Sequence, residues 1–163
     1  MTDAAGFRVG VRLALDWGQA RIGVAACDAH GVLAYPVETI MSASDLNAVG
    51  ARLRALVAEY DPFEIVIGLP THLKGVEGAA ADGAREKAAW VAATFPGVGV
   101  RLVDERLTTV MASAQLRAAG RPAKRQRAFI DQAAAVAILE NALEQERHTG
   151  LPGGEAVDER RSG

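Results

Sequence analysis

The sequence predicts an α/β domain built on a mixed five-stranded sheet with helices on its faces. Two observations carry that expectation. Three short apolar segments separated by turn residues come first, and helical and strand-like patterns alternate after them. Meandering strands followed by crossover helices give a sheet with both antiparallel and parallel pairs.

The first strand is read over Val9 to Leu15, with Asp16-Trp17-Gly18-Gln19 as the turn into a second strand over Arg21 to Cys27. His30-Gly31 turns the chain into a third strand over Pro36 to Ile40. Ser44 stands as N-cap of a helix in which Leu46, Val49, Leu53, Leu56 and Tyr60 recur at helical spacing, and Asp61-Pro62 ends it. Glu64 to Leu69 is an aliphatic run closed by Pro70, the profile of a strand buried on both faces. Ala79 to Phe95 reads as helix and Val98 to Val103 as the fifth strand. Thr108 or Thr109 caps a helix running to Ala119, stopped by Gly120 and Pro122. Phe129 to about Arg147 places Ile130, Ala134, Ala137, Ile138 and Leu143 on one broad face, as a long helix packed on a sheet does.

At 163 residues the chain fits one compact domain, read over 1–149. From Gly150 the sequence is too poor in apolar residues to offset the entropy of ordering it, so 150–163 reads as a disordered C-terminal tail. The single cysteine, Cys27, excludes an intramolecular disulfide, and no charged-then-apolar leader opens the chain, so a cytoplasmic protein is expected. No segment approaches the roughly 18 consecutive apolar residues of a membrane span. A net charge of -2 argues against a surface that binds polyanions throughout. Charge is unevenly spread, however: Arg117, Arg121, Lys124, Arg125 and Arg127 crowd one segment that can face a nucleic acid backbone.

Asp16 falls at the end of the first strand, Glu105 just after the fifth, and Asp131 at the start of the final helix. In open α/β sheets, ligands sit outside strand ends where the connection order changes. If the helix crosses the ends of neighbouring strands, the carboxylates of Asp16, Glu105 and Asp131 surround one pocket. Hard oxygens of that kind suit Mg²⁺ or Mn²⁺, and two such ions about 4 Å apart catalyse phosphodiester hydrolysis. Singly, each acid has another use: Asp16 in a tight turn, Glu105 paired with Arg106 or at a helix N-terminus, Asp131 in the first turn of its own helix. Asp104 adjoins Glu105, but strand alternation sends the two to opposite faces. Arg21 and Arg106 are the nearest basic residues and can donate to a phosphate or pair with neighbouring acids. Trp17 can stack on a base or pack against the fold. His30, His72 and His148 lack ligand spacing.

Four segments taken together are more specific than any one. They are Leu13 to Ala25 (Leu-Ala-Leu-Asp-Trp-Gly-Gln-Ala-Arg-Ile-Gly-Val-Ala), Val66 to Pro70 with Gly75 and Glu77-Gly78, Asp104 to Thr109 (Asp-Glu-Arg-Leu-Thr-Thr), and Ile130 to Ala135. In order and spacing they resemble the motifs of the YqgF (RuvX) family over Val9 to about Leu143. The resemblance implies a ribonuclease H-like fold related to RuvC-type Holliday junction resolvases. It also implies catalytic acids at Asp16, Glu105 and Asp131; from charge and nearness to these acids, Arg21, Arg106, Lys124, Arg125 and Arg127 are expected to serve the substrate. Family members are described as pre-16S rRNA nucleases and some as junction resolvases, so pre-rRNA and branched DNA both stand as substrates. A resolvase needs two active sites and hence a homodimer. The sequence departs from the family pattern at Gln19-Ala20, where Thr-Lys is frequent, and at Thr71-His-Leu-Lys-Gly75. These departures bear on substrate grip and leave the acids untouched. Two other readings remain: an RNA-binding factor that does not cut, and a phosphate loop like that of actin-like ATPases, which use two such domains where this chain has length for one.

Overall fold

A computed structural model describes residues 2, 6–70, 79–105 and 123–157. Its elements are β1 (Arg12–Trp17), β2 (Arg21–Cys27), β3 (Ala34–Met41), α1 (Leu46–Tyr60), β4 (Glu64–Pro70), α2 (Ala79–Thr94), β5 (Gly99–Glu105), α3 (Ala123–Thr149) and β6 (Glu155–Ala156). The helix expected over Thr108 to Ala119 lies outside the described residues.

The strands form one sheet in the order β3-β2-β1-β4-β5-β6. The opening hairpins are antiparallel, and β4 and β5 join in parallel with β1. The C-terminal ends of β1, β4 and β5 therefore lie at one edge of the domain. Strand alternation divides the core in two. Leu13, Leu15, Ile22, Val24, Ile65 and Ile67 share one layer with Leu53, Leu56 and Val91 of α1 and α2. Ala14, Ala25, Val66 and Val103 face Ala135, Leu139 and Leu143 of α3 in the other. Burial of β4 on both faces explains its unbroken aliphatic run.

Several boundaries differ from the sequence reading for identifiable reasons. β1 extends through Asp16 and Trp17, which pair with Gly23 and Ile22, so the turn is displaced to residues 18–20. Asp45, not Ser44, caps α1: its carboxylate accepts from the backbone N–H groups of Asn47 and Ala48. Asp61 ends that helix in the left-handed conformation, with its backbone N–H donating to the Val57 carbonyl. α3 begins at Ala123, well before Phe129, because the residues between are good helix formers with no breaker among them.

The largest correction concerns the C-terminus. Glu155–Ala156 pairs antiparallel with Arg101 and Leu102 as a sixth strand, against the five expected. Residues 150–157 thus belong to the fold and not to a tail; 158–163 lie outside the described residues. Val157 packs against the first core layer, and the other ties of this segment are polar. Arg101 donates to the carbonyls of Gly153 and Gly154, and the Val157 N–H donates to Val100.

At the opposite edge, where β1 and β4 begin, Arg12, Glu64 and Glu146 are buried together with Arg8 beside them. Arg12 lies between the rings of Phe7 and Phe63, 4.7 Å from each centroid. This ionic cluster ties the start of the sheet to the last turns of α3. Among the described residues, no helix is long and apolar enough to cross a membrane.

Candidate functional site at the carboxyl ends of the strands

Asp16 is the penultimate residue of β1 and pairs with Gly23 of β2. Gly23 in turn pairs with Thr39 of β3. These three positions form a row across the sheet on the face that carries α3. The helix comes down directly onto the middle of the row. A Cβ built on Gly23 would lie 1.9 Å from the carbonyl oxygen of Asp131, so only glycine permits this approach. Asp131 is thereby brought over the strand next to Asp16. The two acids are far apart in sequence, and the fold makes them neighbours in position.

Asp131 lies more than two turns inside α3, not at its start. The helix N-terminus therefore does not account for it, because dipole stabilisation fades beyond the first turn. Its partner is Arg21, the first residue of β2, whose Nε donates to Asp131 Oδ2 at 2.7 Å. The pair is half-buried, and Arg21 thus makes the acid pairing that was the alternative to a phosphate contact.

Glu105 closes β5 in register with Pro70 of β4. It stands two residues beyond Val103, which packs under α3, at the same phase of the strand. The side chain of Glu105 lies outside the described residues, as do those of Lys124 and Arg125 and the whole of Arg106. Between Asp16 and Val103 the intervening strand carries Gly68, paired with Val103. The position of β4 between Asp16 and Val103 thus bears no side chain, and Pro70 follows it beside Glu105.

The remaining candidates separate cleanly. Asp104 takes the opposite phase to Val103, lining a cleft of about 180 Å³ with Leu69, Leu102, Gln145, Gly154 and Glu155. Arg127 is exposed near the start of α3. Trp17 points away from Asp16 and packs edge-to-face on Trp90 at 6.0 Å, with Lys87 Nζ 5.6 Å from its ring centroid. Packing, not base stacking, is its role here. Its indole N–H is buried without a hydrogen-bond partner among the described residues. His30 and His148 are exposed, and His72 lies outside the described residues. Among the described residues, no group of three or more His, Cys, Asp or Glu is placed to hold a metal ion.

Sequence reasoning missed two residues at this site. Thr39 Oγ1 donates to the Ala128 carbonyl at 3.2 Å and accepts from Gln132 Nε2 at 3.1 Å, bracketing the helical turn that bears Asp131. No local pattern marks this contact, since its partners are 89 and 93 residues away.

Comparison with known proteins places this arrangement. A protein of Streptomyces coelicolor named "Putative pre-16S rRNA nuclease" is 55% identical over 156 residues, 96% of this chain and 93% of the relative. One of the same name from Cutibacterium acnes is 51% identical, over 85% of this chain and 84% of its own. The structure of Thermus thermophilus RuvC matches with a TM-score of 0.53 at 20% identity, over 87% of this chain and 99% of that one. The same protein in complex with a Holliday junction substrate gives 0.55, at 20% identity and the same coverage of both chains. At that identity the likeness speaks for the ribonuclease H-like, RuvC-type fold alone. The family model described as "RuvX: Holliday junction resolvase" matches residues 10–145, and the chain belongs to that family.

Proposed function

We propose that this chain is a metal-dependent nuclease that hydrolyses phosphodiester bonds in the maturation of the 5′ end of pre-16S rRNA. The observation that carries the reading is the approach of the Asp131 backbone to Gly23, the β2 residue paired with Asp16. The names of the relatives supply the substrate class.

The residues present fit a hard divalent cation. Asp16 and Asp131 offer carboxylate oxygens, and Asp131 already receives a positive group in the guanidinium of Arg21. Asp16, Asp131 and Glu105 would hold Mg²⁺ or Mn²⁺, which when bound polarises a phosphodiester and favours attack by water. Arg21 has two uses at one place. It balances the charge of Asp131, and its remaining guanidinium N–H groups can donate to a phosphate oxygen. Gly68 keeps its position on β4 clear for the backbone of the substrate. Arg127, with Lys124 and Arg125 three and two residues before it in sequence, supplies sequence-independent contacts along the strand.

The test is cleavage of a pre-16S 5′-end substrate with Mg²⁺ or Mn²⁺ by the wild-type protein and Asp16→Asn. Metal-dependent cutting that the substitution and EDTA both abolish is the expected result. Equal inactivity of the two proteins on every substrate sinks the reading. The description of the family model favours a second substrate, a four-way DNA junction cut by a homodimer. Symmetric cleavage of a junction, with pre-rRNA left intact, would decide for it.

A further inference from the structure

Thr39 has no part in the chemistry above, yet its hydroxyl is used twice on the one turn of α3 that carries Asp131. We infer that Thr39 is a positioning residue: together with Gln132 and the bare Gly23, it sets the rotation and depth of α3 so that Asp131 stands beside Asp16. This rests on the proposed nuclease reading for its functional consequence, though not for its geometry.

The need for such a device follows from the packing around it. At the turn of α3 that follows Asp131, Ala135 shares its layer with Ala14 and Ala25, and the larger Val136, Ile138 and Leu139 enter the core only further along the helix. Small side chains make shallow ridges and grooves, so they specify helix register weakly. A helix shifted by one residue rotates by about 100°, which would carry Asp131 off the row of Asp16, Gly23 and Thr39. Two directional contacts oppose that rotation. The Thr39 O–H donates to the Ala128 carbonyl, and the same oxygen accepts from Gln132, one turn further along the helix. Both ends of the turn are thus fixed to a single β-branched side chain, which is itself stiff about χ1. Gly23 sets the third coordinate, because its missing Cβ lets the Asp131 backbone rest on β2. The row across β1, β2 and β3 is continuous in register, so the position of Thr39 is transmitted to Asp16 through one intervening residue.

Arg21 provides a reporter that needs neither metal nor substrate, because its Nε–H is bonded to the carboxylate being positioned. In metal-free wild-type protein that Nε–H proton should exchange slowly with water by nitrogen-15 NMR, and Asp131→Asn should speed it. Thr39→Val, which removes only the hydroxyl's polarity, should accelerate it by about tenfold, and Thr39→Ser should restore slow exchange. Gln132→Met serves as the second variant, removing the same bond from the helix side should Thr39→Val fail to fold. A Thr39→Val protein that loses thermal stability while Arg21 exchange stays at the wild-type rate would show an ordinary structural contact and overturn the inference. Unchanged exchange in Asp131→Asn would overturn it as well, since the carboxylate would then not sit where the clamp places it. Calorimetry with Mn²⁺ adds the functional arm: Thr39→Val should bind it about tenfold more weakly than wild type and Thr39→Ser should match wild type. A wild-type protein that binds no Mn²⁺ would count against the nuclease reading, while the Arg21 exchange rates would still decide the role of Thr39.

Discussion

Arg21 Nε sits 2.7 Å from Asp131 Oδ2, so the basic residue nearest the strand-end acids is already committed to one of them. Their side chains are 26% and 19% exposed, enough for water to screen the pair. Arg21→Gln should therefore cost no more than about 1 kcal/mol, a fall in Tm of about 2–4 °C for a domain of this size. On the proposed nuclease reading its effect on cleavage should be larger, about 10- to 100-fold in kcat, because a donor to the substrate phosphate would be lost. Calorimetry and single-turnover cleavage measure the two effects separately. A large loss of stability with kcat retained would make Arg21 a structural anchor only.

Gly23 makes a second prediction, with Gly83 as its opposite. The Cβ of Gly23→Ala would meet the carbonyl oxygen and carbon of Asp131 at 1.9 and 2.3 Å, and backbone cannot swing aside as a side chain does. The expected loss is about 3 kcal/mol, at the upper end for overpacking. Gly83 lies inside α2 with nothing among the described residues within 4 Å of its would-be Cβ, so Gly83→Ala should stabilise by about 0.5–1 kcal/mol through helix propensity. Urea midpoints moving in opposite directions are expected. Movement in the same direction would mean that α3 does not press on β2.

What the sequence disclosed and what it hid divide by the range of the contacts involved. The aliphatic run of β4 announces a strand buried on both faces, and Asp61-Pro62 announces the end of α1, because those signals are local. Asp16 and Asp131 were legible through the order of their motifs. Asp16 looked like a turn residue because the packing that keeps β1 extended, Trp17 on Trp90, is remote in sequence. β6 was hidden for a similar reason. Its ties run to Arg101 and Val100, about fifty residues away, and to the core under Val157, none of which is visible in the local sequence. Ser44 and Asp45 are chemically equivalent caps side by side, and only backbone geometry chooses between them. The Thr39 clamp has no local signature at all.

Glu146 anchors the opposite edge of the domain. Burial pushes its carboxyl pKa up, but hydrogen bonds from the Arg8 side chain and backbone and the charges of Arg12 and Arg8 outweigh this and hold it below the usual value. A carboxylate with a lowered folded-state pKa contributes stability that is complete above its unfolded value and lost as the pH falls through the folded one. Urea unfolding of the wild type should therefore weaken progressively below about pH 4.5, the ordinary value for a glutamate. Glu146→Gln should show a shallower acid dependence. Glu146→Leu leaves Arg12, 1% exposed, facing a lost counter-charge and should cost about 3–5 kcal/mol at neutral pH. Equal acid dependence in wild type and Glu146→Gln would remove the ionic cluster as the source.

The segment after α3 closes the edge of the strand that ends in Glu105, and its attachment is unusually dependent on one residue. Gly154 adopts φ +70°, and a Cβ there would lie 2.0 Å from the Leu102 carbonyl oxygen. Gly154→Ala is thus opposed both by backbone conformation and by backbone contact. It should release the Arg101 bonds to Gly153 and Gly154 at 2.6 and 2.9 Å and lower stability by about 2–3 kcal/mol. The Arg85–Glu155 ion pair, by contrast, joins a half-buried arginine to an exposed glutamate where water screens it, so loss of this pair in Arg85→Ala should cost about 0.5 kcal/mol. Detachment also uncovers the N–H and C=O groups of β5, and a bare edge recruits other strands. Light scattering should accordingly show concentration-dependent association of Gly154→Ala but not of Arg85→Ala. If the two variants behave alike, the strap is held by its surface charges, and the turn at Gly154 carries no weight in closing the sheet.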